Sequence, residues 1–202
     1  MSMKMLKTSV REQAKQKRLA MTKESKQKSD SMICSKVLDL LKRMNVCQVL
    51  CYVSSYAAEI STIHVIQTLL AEGTEIAVPK CIGDGNDMKF YVIHSLDDLE
   101  RCRFNILEPD TEKCSEVIVS ENSVCIVPGL AFDKNRQRVG FGKGYYDKFL
   151  SGYSGITIGL CCDCCMYENV PAEQHDRPVD ILVTESSVYV SDDKRIKEES
   201  FR

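Results

Sequence analysis

The 202-residue chain has no marked excess of charge of either sign, with 27 lysines and arginines against 29 aspartates and glutamates and a formal net charge of -2. That balance gives no global electrostatic reason to bind nucleic acid or a membrane surface, and it favours small-molecule substrates. No apolar run is long enough to span a bilayer, and Lys4, Lys7, Arg11 and Glu12 interrupt the stretch where a signal peptide would carry its apolar core. A cytoplasmic protein is therefore expected. A mitochondrial presequence stays open because residues 1–28 are basic and potentially amphipathic, although Glu12 and Glu24 are unusual for one. Histidine is scarce, at 3 residues: His64 sits in a helical stretch, His94 follows a strand and His175 adjoins Asp176, none of them beside a nucleophile. The chain has no G-x-S-x-G and no cysteine-histidine arrangement, so no covalent enzyme nucleophile is expected. Repeats, linkers and low-complexity blocks are missing too, apart from the lysine-rich segment 23–28 and the charged tail 192–202. A single domain over residues 1–202, monomeric and with one active site, fits that length.

The 11 cysteines are an odd number scattered among apolar positions such as Cys34, Cys47, Cys51 and Cys125, which suits reduced thiols used as small hydrophobes. Cys161, Cys162, Cys164 and Cys165 form two overlapping C-x-x-C pairs. No second C-x-x-C completes a tetrahedral zinc site, and the run continues an apolar strand pattern, so it is read as a strand end rather than a metal or redox centre.

Residues 3–44 read as two helices. Leu6, Val10 and Ala14, then Ile33, Val37, Leu40, Leu41 and Met44, recur at helical spacing, and Thr22 with Glu24 and Ser25 marks the break. Residues 46–53 are almost continuously apolar, as a strand covered on both faces would be. A helix over 62–72 follows, capped by Ser61 or Thr62 and stopped by Gly73. Residues 75–79 and 88–93 read as strands around the turn Gly83-Asp84-Gly85-Asn86, and 124–127 as a central strand stopped by Pro128-Gly129. Residues 145–150 look helical, 156–162 and 179–183 are further strands, and 187–190 is an edge strand. The alternation predicts an α/β fold in three layers, α/β/α, with a mostly parallel sheet and an N-terminal helical segment.

Chemistry concentrates in residues 128–147, PGLAFDKNRQRVGFGKGYYD. Gly140, Gly142 and Gly144 occupy alternate positions between a buried strand and a helix. Without a Cβ they let backbone approach an anion, and the free N–H groups and dipole of the helix start favour phosphate. Lys143 adds a positive charge inside the loop, and Arg138 can clamp phosphate oxygens bidentately. The loop is not a Walker A motif, since Lys143 precedes Gly144 rather than Ser or Thr, and its spacing is not G-x-G-x-x-G. Alternating glycines alone would also suit a plain turn. Asp147 lies one turn into the helix, where a carboxylate can hold magnesium or simply face the helix dipole. Tyr145 and Tyr146 offer rings and hydroxyls at the same mouth, with one of them expected in the core.

Pro128 to Asp133, then Arg138, Gly140, Gly142, Gly144, Tyr145, Tyr146 and Asp147, resemble the signature of the 5-formyltetrahydrofolate cyclo-ligase family, P-G-L-A-F-D, four residues, R-x-G-x-G-x-G-Y-Y-D. The likeness extends through Lys7 and Arg11, Glu59 with Thr62, Phe104 to Pro109, His175 to Asp180, and Thr184-Glu185. Phe141 departs from it, standing where members usually carry tyrosine or arginine, as do Asn105 for a common glycine and the four-cysteine run.

The resemblance implies an ATP-dependent ligase that cyclises 5-formyltetrahydrofolate to 5,10-methenyltetrahydrofolate, with release of ADP and phosphate through a phosphorylated formyl intermediate. It implies ATP contacts from Lys7, Arg11, Arg138, Gly140, Phe141, Gly142, Lys143, Gly144 and Tyr145, and folate contacts from Ser54, Glu59, Phe104 and Tyr146. Arg138, Lys143 and Tyr146 would act in catalysis, and Asp147 and Asp176 would hold Mg2+. The residues agree in kind: one carboxylate, Glu59, can accept from a pterin ring N–H and its exocyclic amine together. Lys7 and Arg11, at i and i+4, share a helical face. That face can equally be solvated, Phe104 can be core, and Asp176 can turn the loop before Pro178. Two rival readings remain at this level, a non-catalytic folate- or nucleotide-binding member of the same fold, and a metal or redox protein centred on residues 161–165.

Overall fold

In the computed structural model, which describes residues 2–83, 85–102, 106–173, 176–192 and 196, two helices open the chain. Helix α1 (Met3–Leu19) is capped by Ser2 and α2 (Lys23–Arg43) by Thr22, whose hydroxyl accepts from Ser25 N at 3.1 Å. Helix α2 buries Ile33, Cys34, Val37, Leu40 and Leu41 along one stripe, each large apolar side chain contributing about 1.5–3 kcal/mol. Then follow β1 (Gln48–Cys51), α3 (Ile63–Ala71), β2 (Glu75–Ile82), β3 (Asp87–Ile93), β4 (Leu99–Arg101), β5 (Leu107–Pro109) and β6 (Val124–Val127). The chain continues through β7 (Ala131–Asp133), β8 (Arg138–Val139), α4 (Tyr145–Ser151), β9 (Ile156–Leu160), β10 (Met166–Tyr167), β11 (Ile181–Val183) and β12 (Val188–Val190).

The central sheet has 7 strands in the order β12-β11-β9-β6-β1-β2-β3. Its five inner strands run parallel, whereas the edges β3 and β12 pair antiparallel with β2 and β11. Successive residues of β1 and β6, Val49 to Cys51 and Val124 to Val127, are all buried, so both faces of the sheet are covered and the three-layer α/β arrangement is the one observed. From β1 the chain builds outward through β2 and β3 on one side, then returns to place β6, β9 and β11 on the other. The order therefore reverses between β1 and β6, and loops leaving the carboxyl ends of those two strands diverge to form a crevice.

Several local expectations need correction. Strand β9 stops at Leu160 rather than Cys162, because residues 163–165 turn into a 3₁₀ helix. Strand β11 starts at Ile181 rather than 179, because the Asp180 carboxylate takes the Thr157 N–H and hydroxyl, each at 2.8 Å, in place of a backbone ladder bond. Thr62 is the N-cap residue of α3, as expected, but its side chain does not cap the helix. Its hydroxyl donates to Tyr52 O at 2.6 Å and accepts from Ser54 N at 3.2 Å, which ties off the end of β1 instead. The pairs β4-β5 and β10-β7-β8 form two small extra sheets whose strands of two or three residues are too short to carry a periodic signal. All 11 cysteines are free, as expected of reduced thiols. No helix among the described residues is long and apolar enough to cross a membrane.

Candidate active site

A cavity of about 560 Å³ occupies the crevice between the β1 and β6 loops, a size suited to a drug-sized ligand. One wall comes from the loop after β1, with Tyr52, Ser55, Tyr56 and Glu59, and the opposite wall from residues 138–147. The β2-β3 hairpin adds Pro79, Cys81 and Met88, and α1 adds Lys15 and Leu19.

Glu59 is 9% exposed, and its Oε2 accepts from Ser55 N at 2.8 Å and Tyr56 N at 3.0 Å. Those bonds fix the carboxylate as a wall of the cavity, while Oε1 accepts no hydrogen bond among the described residues. Burial pushes the Glu59 carboxyl above its usual value, against the pull of the two N–H groups and of nearby Arg18 and Lys26. Tyr56 stacks on Phe141 across the cavity mouth, with ring centroids 6.0 Å apart. Tyr146, reached from the first turn of α4, has a buried hydroxyl without a hydrogen-bond partner among the described residues, and burial raises it well above the usual phenol value.

The glycine loop is built by backbone conformation. Gly142 and Gly144 take φ of +91° and +77°, which side chains rarely adopt, and Gly144 is the residue from which α4 starts. A Cβ on Gly142 would press on the Arg11 guanidinium at 3.1 Å. Arg11 in turn donates from Nε to Gly140 O at 2.9 Å, so α1 is fastened to the loop. Upstream, the buried Asp133 carboxylate accepts from Asn135, Gln137 and Val170 N–H groups at 2.9, 3.1 and 3.1 Å. This explains the acid of the P-G-L-A-F-D segment as a structural anchor that sets the course of the chain into Arg138.

The structure pairs the expected cations with the expected metal acids. Arg138, with a side chain 7% exposed, bonds Asp147, whose side chain is 51% exposed, and it also donates to Pro128 O at 3.2 Å. Lys7 bridges Asp176 at 2.6 Å and Glu173 at 2.7 Å. Burial works to lower the Lys7 ammonium, but its hydrogen bonds to those carboxylates prevail and hold it above its usual value. Lys143 is exposed on the cavity rim and forms no ion pair among the described residues.

Gly140, Phe141, Gly142, Lys143, Gly144, Tyr145, Tyr146, Asp147, Arg138 and Glu59 are thus brought to one cavity, with Arg11 at its edge. Ser54 is not. Its hydroxyl accepts from Thr62 N at 3.2 Å, and it is the neighbour Ser55 that lines the cavity. Phe104 lies outside the described residues, although Ile106 and Leu107 just after it contribute to the wall. Tyr56 and the β2-β3 contributors were not foreseen. Tyr56 carries no periodic signal, and the hairpin residues reach the site only through the sheet order.

A model of the 5-formyltetrahydrofolate cyclo-ligase family matches residues 3–185. A probable 5-formyltetrahydrofolate cyclo-ligase of Schizosaccharomyces pombe is 30% identical over 172 residues, covering 77% of this chain and 83% of the yeast protein. The 5-formyltetrahydrofolate cyclo-ligase of Escherichia coli is 28% identical over 180 residues, covering 87% of this chain and 98% of its own. The solution structure of Aquifex aeolicus 5,10-methenyltetrahydrofolate synthetase superposes with a TM-score of 0.81 at 30% identity, covering 96% of each chain.

Proposed function

Since the chain belongs to the 5-formyltetrahydrofolate cyclo-ligase family, we propose that it cyclises 5-formyltetrahydrofolate to 5,10-methenyltetrahydrofolate with consumption of ATP. The observation that carries this reading is one cavity in which a buried carboxylate from the β1 loop faces the glycine loop and helix start from the β6 side. The first suits a pterin and the second a triphosphate, and a reaction joining them needs both in reach of each other.

In this reading Glu59 Oε1 accepts from the pterin ring N–H and exocyclic amine, Oε2 being already held by backbone. Tyr56 and Phe141, stacked on each other, close the mouth over the flat ligand. The formyl oxygen attacks the γ-phosphorus, ADP leaves, and N10 attacks the activated formyl carbon. N10 gives up its proton to the departing phosphate or to solvent, and phosphate is expelled as the bridged cation forms. Arg138, Lys143 and the loop N–H groups neutralise charge on the transferring phosphoryl group, and the Tyr146 hydroxyl finds its partner at the reacting end of the folate. Lys7 and Arg11 steady the phosphates from α1. Mg2+ would be held by Asp147 and Asp176, hard oxygen donors of the right kind, and would neutralise triphosphate charge there. Each acid pairs with a cation through one oxygen, Asp147 with Arg138 and Asp176 with Lys7, and a carboxylate can bind an ion through its second oxygen.

The test is a spectroscopic assay for the methenyl product in mixtures lacking one component at a time. Product is expected only when folate, ATP and a divalent ion are all present, and conversion without nucleotide would overturn the reading.

A further inference from the structure

Behind the cavity wall, where β9 gives way to the 3₁₀ turn, three sulfurs converge. Cys162 Sγ lies 2.9 Å from Cys164 Sγ, Cys164 Sγ lies 3.9 Å from Cys165 Sγ, and all three fall within 4.8 Å of one another. A continued strand would have sent Cys165 to the opposite face from Cys162 and Cys164. The turn Asp163–Cys165 brings it round to the same side, so the expectation of a strand end fails at the residues that matter. Zinc-thiolate bonds of about 2.3 Å place tetrahedral sulfurs about 3.8 Å apart, and the observed spacings lie within about 1 Å of that.

A second observation points to what the cluster holds. Arg18 is 3% exposed and lies beside Cys161, Cys162 and Cys165. Its Nη1 donates to Ala58 O at 2.7 Å, whereas Nε and Nη2 are buried without a well-formed hydrogen bond among the described residues; it forms no ion pair there, and the negative groups it faces are the Cys165 sulfur and the nearby Glu59 carboxylate, the latter assigned to the folate. A guanidinium is always charged and is costly to bury without a counter-charge. A divalent ion on three thiolates carries one net negative charge, which the guanidinium balances. A monovalent ion would leave a second negative charge unbalanced.

We propose that Cys162, Cys164 and Cys165 form a zinc site whose net charge is balanced by Arg18. Binding displaces one proton from each of three thiols to solvent, so uptake strengthens as pH rises. The Cys165 thiol donates to Ala14 O at 3.5 Å, and losing that proton is tolerable because a carbonyl inside α1 also has its backbone partner four residues on. Cys164 is exposed, which leaves an entry path and a fourth position for water. Because Arg18 also holds the carbonyl preceding Glu59, the site is structural, bracing the cavity wall from behind rather than entering the reaction.

The test uses the full chain, stripped of metal by a chelator under reducing conditions and titrated with Zn2+ against a chromophoric competitor, with Co2+ as the spectroscopic probe. One equivalent of zinc and a thiolate-to-cobalt charge-transfer band are expected. Cys164→Ser, at an exposed position that spares the fold, should lose the band and more than about a hundredfold in affinity, beyond the ten- to hundredfold typical of an outer partner. Arg18→Met should fall within that outer-partner range, Arg18→Lys should recover most of the loss, and Cys47→Ser should change nothing. A wild-type chain that takes up no zinc, or equal uptake by Cys164→Ser, would overturn the proposal.

Discussion

Glu59→Gln separates a ligand-binding role from a structural one, because the two roles predict opposite changes. The Glu59 carboxylate is 9% exposed, and its charge is disfavoured by burial, so its folded pKa is raised. For an acid shifted upward, the folded state binds more protons than the unfolded chain between the two pKa values. Stability is therefore highest when the group is protonated and falls as pH rises through the folded pKa. Glutamine is neutral at every pH, and its carbonyl oxygen can still accept from Ser55 N and Tyr56 N. The variant should match or exceed wild-type melting temperature at neutral pH, with the difference vanishing as pH falls toward about 4. Folate binding should move the other way. A charge-assisted hydrogen bond is lost and an amide donor meets a ligand donor, costing about 1.5–3 kcal/mol, or roughly a tenfold to hundredfold rise in Kd. Fluorescence titration with folate and with ATP, alongside melts across the pH range, measures each quantity. Equal losses for both ligands, or a large fall in melting temperature at neutral pH, would refute the reasoning.

Tyr146→Phe removes a buried hydroxyl with no partner among the described residues, so thermal stability should hold or rise while turnover drops; unchanged turnover would leave the hydroxyl without a role. Lys143→Ala should slow single-turnover chemistry about tenfold to hundredfold, and Asp147→Asn should raise the magnesium concentration needed, with folate affinity in both largely intact by titration. Unchanged rates in both would move the nucleotide away from this loop. Asp133→Ala strands three backbone N–H groups, and chemical denaturation should show a loss of about 3–5 kcal/mol. A loss near zero would mean that water replaces the anchor.

The longer elements could be read from the sequence because they carry period and punctuation. The α2 stripe from Ile33 to Leu41, the buried run Val124–Val127 and the stop at Gly73 all express their environment locally. The site was legible where backbone chemistry writes itself into residue type, at Gly142 and Gly144 with their positive φ. It was not legible where a side chain answers a distant partner. The Thr62 hydroxyl closes β1 rather than capping α3, Ser54 is expected at the folate but bonds Thr62, and Lys7 meets carboxylates 166 and 169 residues away. The convergence of Cys162, Cys164 and Cys165 depends on a single 3₁₀ turn that an apolar strand pattern conceals.

The central claim is that ATP activates the formyl oxygen and that this oxygen leaves as phosphate. Its most direct measurement is to supply 5-formyltetrahydrofolate labelled with heavy oxygen in the formyl group and to determine the isotopic mass of the phosphate released in a single turnover. The account predicts one heavy oxygen in each phosphate, formed in step with ADP and methenyl product. Unlabelled phosphate, with the heavy oxygen recovered in water, would contradict it.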